Sequence, residues 1–116
     1  MTPSTTDQGL VAQVLLAVDQ VPPGRVVSYG DVAALVGIGP RQVGRILARY
    51  GHQTNWWRVT NHAGELTVLD QARQQWAAEG ITVAAHGRGC RIADYRADLE
   101  ALASAHAAAC ADLPPI

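Results

Sequence analysis

Two short helix patterns separated by a glycine-rich break constrain the fold of this chain most strongly. Ser28 and Asp31 have the spacing of a capping box, which predicts a helix that continues to about residue 36. Residues 37–39 interrupt that pattern, and Pro40 is suited to the first position of a new helix. The second helix places three apolar residues on one buried side: Val43, Ile46 and Leu47. Two helices joined by a tight turn predict a helix-turn-helix motif.

The second helix also carries a row of positive charge. Arg41, Arg45 and Arg49 follow one another at four-residue steps, so they share one face, which points away from the core. The net charge of the chain is −1, but the segment from Arg25 to Arg58 carries +4. All 9 basic residues are arginine, whose planar fork suits a defined phosphate contact. The base composition of the genome is the alternative explanation for this exclusive use of arginine.

The other predicted elements surround this motif on both sides. They are a helix around residues 10–18, a strand, turn and strand over residues 55–68 that form a wing, a helix over residues 72–79 closed by Gly80, a strand pair from residues 81–83 and 90–92, and an alanine-rich helix over residues 94–112 with Tyr95, Leu99, Leu102 and His106 on one stripe. The predicted fold class is therefore mainly α with a small β component. We expect a winged helix-turn-helix domain over residues 1–96 and an extra C-terminal helical extension over residues 97–116.

Composition and motif spacing argue against several classes of protein. A chain of 116 residues, 48% hydrophobic and 16% charged, has the size and composition of one globular domain. It contains no apolar run near the roughly 20 residues of a membrane span, so we expect a cytoplasmic protein without membrane contact. Cys90 and Cys110 lack metal-ligand spacing and the four histidines are scattered, so we expect no metal and no cofactor. An enzyme that uses either thiol has little support, because neither lies near a motif that would activate it.

Three segments in order carry a family resemblance. They are the run from Val21 to Ala33, the tetrapeptide Arg41-Gln42-Val43-Gly44 and the tetrapeptide Trp56-Trp57-Arg58-Val59. Together they resemble the DNA-binding domain of the O6-alkylguanine-DNA alkyltransferases, and the likeness extends over about residues 10–96. The resemblance implies the C-terminal domain type of that family for the fold.

The catalytic motif of active alkyltransferases is changed here at three positions, two of which carry its chemistry. That motif is Pro-Cys-His-Arg, whereas this chain has Asn55-Trp56-Trp57-Arg58. Trp56 offers no nucleophile and Trp57 cannot shuttle a proton, so we expect no alkyl transfer and no enzyme. Glu79 matches the acid of the family's relay, but without its partners we interpret it as a surface carboxylate at a helix end. The pattern is similar to the alkyltransferase-like proteins, which implies binding of O6-alkylguanine in duplex DNA by nucleotide flipping and hand-over to nucleotide excision repair proteins.

The resemblance also implies a set of DNA-binding residues, namely Tyr29, Arg41, Gln42, Gly44, Arg45 and Arg49. Arg41 matches a finger that replaces the flipped nucleotide, and a phosphate contact at the helix start is the alternative. Tyr29 matches a tyrosine that presses on the backbone phosphate, with a core role as the alternative. Gly44 would let the helix approach the minor groove closely, unless it serves to pack two helices together.

The implied lesion pocket comprises Tyr29, Trp56, Trp57, Arg58 and Arg73. Trp56 would stack on the flipped base, although core roles are the alternative for both Trp56 and Trp57. Arg58 has a structural alternative, in which it ties the motif to the recognition helix. Arg73 is the nearest basic candidate because Val68 and its neighbour occupy the position of a basic loop residue in some relatives. We assign Trp76 to the core. The linkers look short for the family, so the alternative function is a helix-turn-helix regulator without lesion specificity.

Overall fold

The computed structural model describes residues 5–111, which form six helices and one pair of short strands. In chain order the elements are α1 (Thr5–Asp19), β1 (Val27–Ser28), α2 (Tyr29–Val36), α3 (Pro40–Tyr50), β2 (Val59–Thr60), α4 (Leu69–Glu79), α5 (Ile92–Tyr95) and α6 (Leu99–Cys110), with 3-10 turns at Gly51–Gln53 and Trp56–Arg58. The fold is mainly α with a small β component, a winged helix-turn-helix architecture as predicted. None of these helices is long and apolar enough to cross a membrane.

The capping signals in the sequence position the helix-turn-helix. Ser28 Oγ accepts a hydrogen bond from Asp31 N at 3.0 Å, and Asp31 Oδ2 accepts one from Ser28 N at 2.9 Å. This reciprocal pair confirms the predicted capping box at the start of α2. Gly37 ends α2 with a φ of 87°, a left-handed conformation that glycine adopts without strain. Pro40 then begins α3, so the predicted turn between the two helices is confirmed.

The hydrophobic core has two parts, which meet at β1. Val27 faces a cluster formed mainly by α1, α2 and α3, whose fully buried members include Val14, Val18, Val32 and Val43. Val26, immediately before it, belongs to a second cluster with Trp76 of α4. Successive side chains of an extended segment point to opposite sides, so Val26 and Val27 pack into different clusters from adjacent positions at the start of β1.

Residues 61–64 form the predicted turn, but the strands on either side of it do not pair with each other as the predicted hairpin over residues 55–68 requires. β2 pairs in parallel with β1, with Val59 opposite Val27, and the residues before β2 form a 3-10 turn instead of a strand. The segment after β2 finds a distant partner, since Leu66 N donates to Arg88 O at 3.1 Å and Cys90 N donates to Gly64 O at 3.0 Å. These bonds also replace the predicted strand pair of residues 81–83 and 90–92. The sequence pattern correctly predicted extended backbone at Val59–Thr60, but it could not identify β1 as the strand with which these residues pair.

The predicted helix over residues 94–112 is two helices in the structure, and residue 112 lies outside the described part of the chain. The break occurs because Val26 takes up backbone bonds there: Val26 N donates to Tyr95 O, and Ala97 N donates to Val26 O, both at 2.9 Å. Asp98 then caps α6 by accepting from Ala101 N at 3.1 Å. Tyr95 is therefore not on the stripe of α6.

The α6 helix packs through part of its predicted stripe. Leu102 and His106 are buried, whereas Leu99 is 39% exposed. Ala97 and Leu102 belong to the same cluster as the buried valines of α1, α2 and α3. The division of the chain after residue 96 stays a prediction, but α6 shares the core of the preceding helices.

We predict that Leu102→Ala lowers the free energy of unfolding by about 3 kcal/mol, because it leaves a cavity in that shared core. Leu99→Ala is the matched control on the same helix, with an expected loss of about 0.5 kcal/mol or less because this side chain is exposed. Chemical denaturation of both variants measures the difference. Equal losses would contradict the packing of α6 against the core.

Candidate nucleic-acid interface

The outer face of α3 carries exposed positive charge. Arg41, Arg45 and Arg49 are all exposed, as the four-residue spacing predicted. No acidic side chain among residues 8–111 forms an ion pair with any of the three. The Arg49 guanidinium carbon lies 5.4 Å from the centre of the Tyr50 ring, which steadies it by a cation–π contact. The charge of this row is therefore available to an anion outside the protein.

Gly44 lies on α3 next to Arg45, with open space beside it. A Cβ built on Gly44 meets no heavy atom within 4 Å beyond its own helix backbone and chain neighbours. The alternative that Gly44 packs two helices together is therefore wrong, because no second helix occupies that space. The glycine instead lines an open cavity.

That cavity has a volume of about 450 Å³ and lies between the recognition helix and the loop before α4. It brings together three residues that the sequence predicted for the interface: Tyr29 of α2, Gly44 of α3 and Trp56. Burial raises the pKa of the Tyr29 hydroxyl, so this group stays protonated and can donate a hydrogen bond. A volume of this size is within the range of small-ligand pockets.

The cavity wall also contains residues that sequence reasoning missed. Leu47 and Ala48 follow Gly44 by three and four positions, so helical periodicity could have found them. Val68 and Gln71 come from the segment that the hairpin prediction misplaced, and no local signal indicates that they face the cavity. Gln42 does not line it but contributes with Arg45 and Arg49 to a separate groove beside α1.

Three residues of the predicted lesion pocket are not among those that line the cavity: Trp57, Arg58 and Arg73. Arg73 is half exposed and pairs with Asp70 at 3.2 Å. It lies two positions after Gln71 on α4, and residues two apart on a helix point to different sides. Its side chain is therefore directed away from the surface that Gln71 presents.

A buried ion pair holds Arg58. Its Nη2 lies 2.7 Å from Glu79 Oε2 and its Nε lies 3.0 Å from Glu79 Oε1, with side chains only 9% and 12% exposed. The remaining terminal nitrogen, Nη1, donates to Val21 O at 3.0 Å. The expected tie between Arg58 and the recognition helix is thus wrong, because its partners are the end of α4 and the segment after α1. The expectation that Glu79 is a surface carboxylate is also wrong.

Glu79 accepts two further hydrogen bonds. Trp57 Nε1 donates to Oε2 at 2.8 Å, and Gly24 N donates to Oε1 at 3.0 Å. Burial alone would raise the pKa of the Glu79 carboxyl, but the bonds from Arg58, Gly24 and Trp57 together outweigh it and lower that pKa below its usual value. The carboxylate therefore stays ionised at neutral pH.

The three tryptophans have separate positions. Trp76 is 1% exposed and its Nε1 donates to Trp57 O at 2.6 Å, so the prediction that it belongs to the core is confirmed. The indole N–H of Trp57 donates to Glu79, and the Trp57 ring packs edge to face against the ring of Trp56 with centroids 6.0 Å apart. This packing leaves Trp56 to form the aromatic wall of the cavity.

Neither of the two thiols is among the residues that line this cavity. Cys90 is fully buried in the second core cluster, and Cys110 is on α6. Burial raises the pKa of both thiols, which makes them poor nucleophiles at neutral pH. The cavity thus presents a flat aromatic face and has no cysteine among its lining residues. The exposed arginine row lies outside the cavity on α3, the helix that carries Gly44.

Comparison with known proteins places the chain in a family. Residues 10–81 match the model of the 6-O-methylguanine DNA methyltransferase, DNA binding domain. A DNA base-flipping protein of Vibrio parahaemolyticus is 36% identical over 90 residues, which cover 71% of this chain and 89% of that protein. A DNA base-flipping protein of Escherichia coli is 40% identical over 76 residues, 59% of each chain.

Two solved structures share the fold. S. pombe Atl1 in complex with damaged DNA containing O6-carboxymethylguanine superposes with a TM-score of 0.68 at 24% identity. S. pombe ATL in complex with DNA gives a TM-score of 0.64 at 27% identity. Each comparison covers 78% of this chain and 96% of the other.

The chain therefore belongs to the family of the 6-O-methylguanine DNA methyltransferase DNA-binding domain. Within that family it is of the alkyltransferase-like type, as the sequence resemblance predicted.

We predict that Glu79→Gln lowers the free energy of unfolding by about 3 kcal/mol at pH 7, because it leaves Arg58 buried without a countercharge. The wild-type carboxyl has a lower pKa in the folded than in the unfolded chain. Its stabilisation is therefore present above the ordinary value of 4.5 and is lost as pH falls through the lower native pKa. Denaturant titrations at several pH values should show a smaller acid-dependent loss in the variant.

Asp70→Asn is the matched control for that experiment, since it converts a carboxylate to an amide on the same helix. The Asp70 side chain is 95% exposed, so we expect a change of about 0.5 kcal/mol or less. If Glu79→Gln changed stability no more than this control, the buried ion pair would not have the structural role assigned to it.

Proposed function

We propose that this protein binds duplex DNA that contains O6-alkylguanine, rotates the damaged nucleotide out of the helix into the cavity, and leaves the alkyl group in place. One observation carries the proposal. A single cavity of about 450 Å³ joins Gly44 on the exposed recognition helix to the aromatic wall of Trp56. A base displaced from a duplex lying on α3 would thus have an aromatic surface within the same site.

The exposed face of α3 supports the DNA-binding step. Arg45 and Arg49 are exposed on this face and would contact phosphates on the outside of the duplex. Gly44 has open space above it, so the helix backbone can approach a narrow minor groove. Arg41 lies in the first turn and is exposed, which suits it to fill the position of a displaced nucleotide.

The composition of the cavity supports base capture. Stacking of a base on an aromatic side chain contributes about 1–3 kcal/mol, and Trp56 offers such a face. The protonated hydroxyl of Tyr29 lies on the same lining and can donate to a phosphate or to the displaced nucleotide. The names of the relatives agree with this proposal, since the bacterial ones are DNA base-flipping proteins.

The absence of alkyl transfer follows from the residues at the motif. Trp56 stands where active alkyltransferases have the accepting cysteine, and Trp57 where they have the histidine. Glu79, the remaining member of that relay, is engaged by Arg58 and by the indole N–H of Trp57. Because the alkyl group stays on the base, repair requires excision of the lesion by other proteins, and we propose the nucleotide excision repair machinery as that partner.

We predict that the protein binds a duplex with one O6-methylguanine more tightly than the same duplex with guanine at every salt concentration. Both affinities should fall with salt because phosphate contacts release counterions. Fluorescence anisotropy measures both, and a labelled methyl group should remain on the DNA. Equal affinities would favour a helix-turn-helix regulator without lesion specificity. Stoichiometric label on Cys90 or Cys110 would contradict the absence of transfer.

We predict opposite effects of Gly44→Ala on stability and on binding. The free energy of unfolding should rise by about 1 kcal/mol, because alanine favours the helix and the new methyl group meets no neighbour. Affinity for DNA should fall, because the methyl group stands between the helix and the groove. Thermal denaturation verifies that the variant is folded. Unchanged affinity in a stabilised variant would show that DNA does not approach this part of α3.

A further inference from the structure

The lining of the cavity carries no fixed charge. Its apolar part is formed by Leu47, Trp56, Leu66 and Val68. Its polar part consists of a phenol, a hydroxyl, an amide and the exposed imidazole of His52, without an arginine, lysine, aspartate or glutamate. A ligand group that enters this space therefore meets no permanently charged side chain.

The arginines nearest in sequence to the lining are directed elsewhere. Arg58 is held by Glu79 and is 9% exposed. Arg73 pairs with Asp70 and lies on a different side of α4 from Gln71. Arg45 and Arg49 line the groove beside α1 instead of this cavity. None of these four cations belongs to the wall that would surround the alkyl group of a flipped base.

We propose, on the basis of the function proposed above, that this site selects uncharged O6 adducts of guanine, alkyl or arylalkyl, and rejects adducts that end in a carboxylate. A carboxylate loses hydration when it enters a cavity, and that loss is offset only by a cation or by several donors. Neutral adducts lose much less hydration free energy than a carboxylate does, and the apolar wall favours burial of their alkyl parts. The DNA phosphates add further repulsion against a second anion.

The fold itself does not impose this selection. The S. pombe Atl1 structure contains O6-carboxymethylguanine, so an anionic adduct can accompany a protein of this fold. The selection in this chain would come from its own side chains at the loop before α4. Val68 is 39% exposed on that loop, so a longer side chain can be accommodated at this position.

The test compares duplexes that differ only in the charge of the adduct. The full chain is titrated with otherwise identical duplexes that contain guanine, O6-methylguanine, O6-carbamoylmethylguanine or O6-carboxymethylguanine. The carbamoylmethyl group is a neutral amide of nearly the same size as carboxymethyl. We expect the carbamoylmethyl duplex to bind at least about tenfold more tightly than the carboxymethyl duplex, which corresponds to about 1.4 kcal/mol.

The outcomes separate this inference from the function on which it rests. If no damaged duplex binds more tightly than the guanine duplex, the proposed function is wrong. If the damaged duplexes bind more tightly than guanine but carboxymethyl equals or exceeds carbamoylmethyl, lesion binding stands and the charge selection is overturned.

Two arginine variants test the physical cause. Val68→Arg and Gln71→Arg each place a cation at the lining, with Val68→Gln and Gln71→Leu as uncharged controls. The affinity ratio of carboxymethyl to carbamoylmethyl cancels any general attraction of arginine to phosphate. We expect at least one arginine variant to raise that ratio about tenfold. An unchanged ratio in both folded arginine variants would overturn the electrostatic explanation and with it the proposal.

Discussion

The buried carboxylate of Glu79 organises the domain because it joins three segments that are distant in the sequence. It closes the end of α4 onto the turn at Gly24 and onto the motif that contains Trp57 and Arg58. A buried ion pair adds little net stability relative to an apolar core, but loss of one partner is costly. Its structural effect here is to fix the orientation of Trp57. The Trp57 indole is hydrogen-bonded to Glu79, whereas Trp56 lines the cavity.

The contacts of Glu79 differ from those that the family resemblance implies for its position. In active alkyltransferases, as the resemblance implies, the acid orients a histidine beside the reactive cysteine. Here the indole N–H of Trp57 takes the donor position at Glu79, and the arginine supplies the charge. The same carboxylate thus changes from an orienting group in a proton relay to a structural acceptor.

Charge and apolar surface are separated along the recognition helix. The arginine row lies on the exposed face of α3, where a polyanion can reach it without desolvation of the protein interior. The neutral cavity lies on one flank of the same helix, beyond Gly44. Affinity for the duplex and selection among bases would therefore depend on different side chains. That separation underlies our proposal that the binding row contributes positive charge while the lesion site excludes negative charge.

Local signals in the sequence were sufficient for the helix-turn-helix and its arginine row. Ser28, Asp31, Gly37 and Pro40 act through backbone bonds and dihedral preferences within a few residues, so their effect is readable without the rest of the fold. The family and the core position of Trp76 were also accessible from the sequence. Tertiary structure alone decided the partners of extended segments and charged groups. Three features depend on residues that are distant in the sequence: the parallel pairing of β1 with β2, the break before α6 and the burial of Glu79. Local periodicity cannot predict them, because the sequence of a strand or the position of a carboxylate does not identify the distant group with which it pairs.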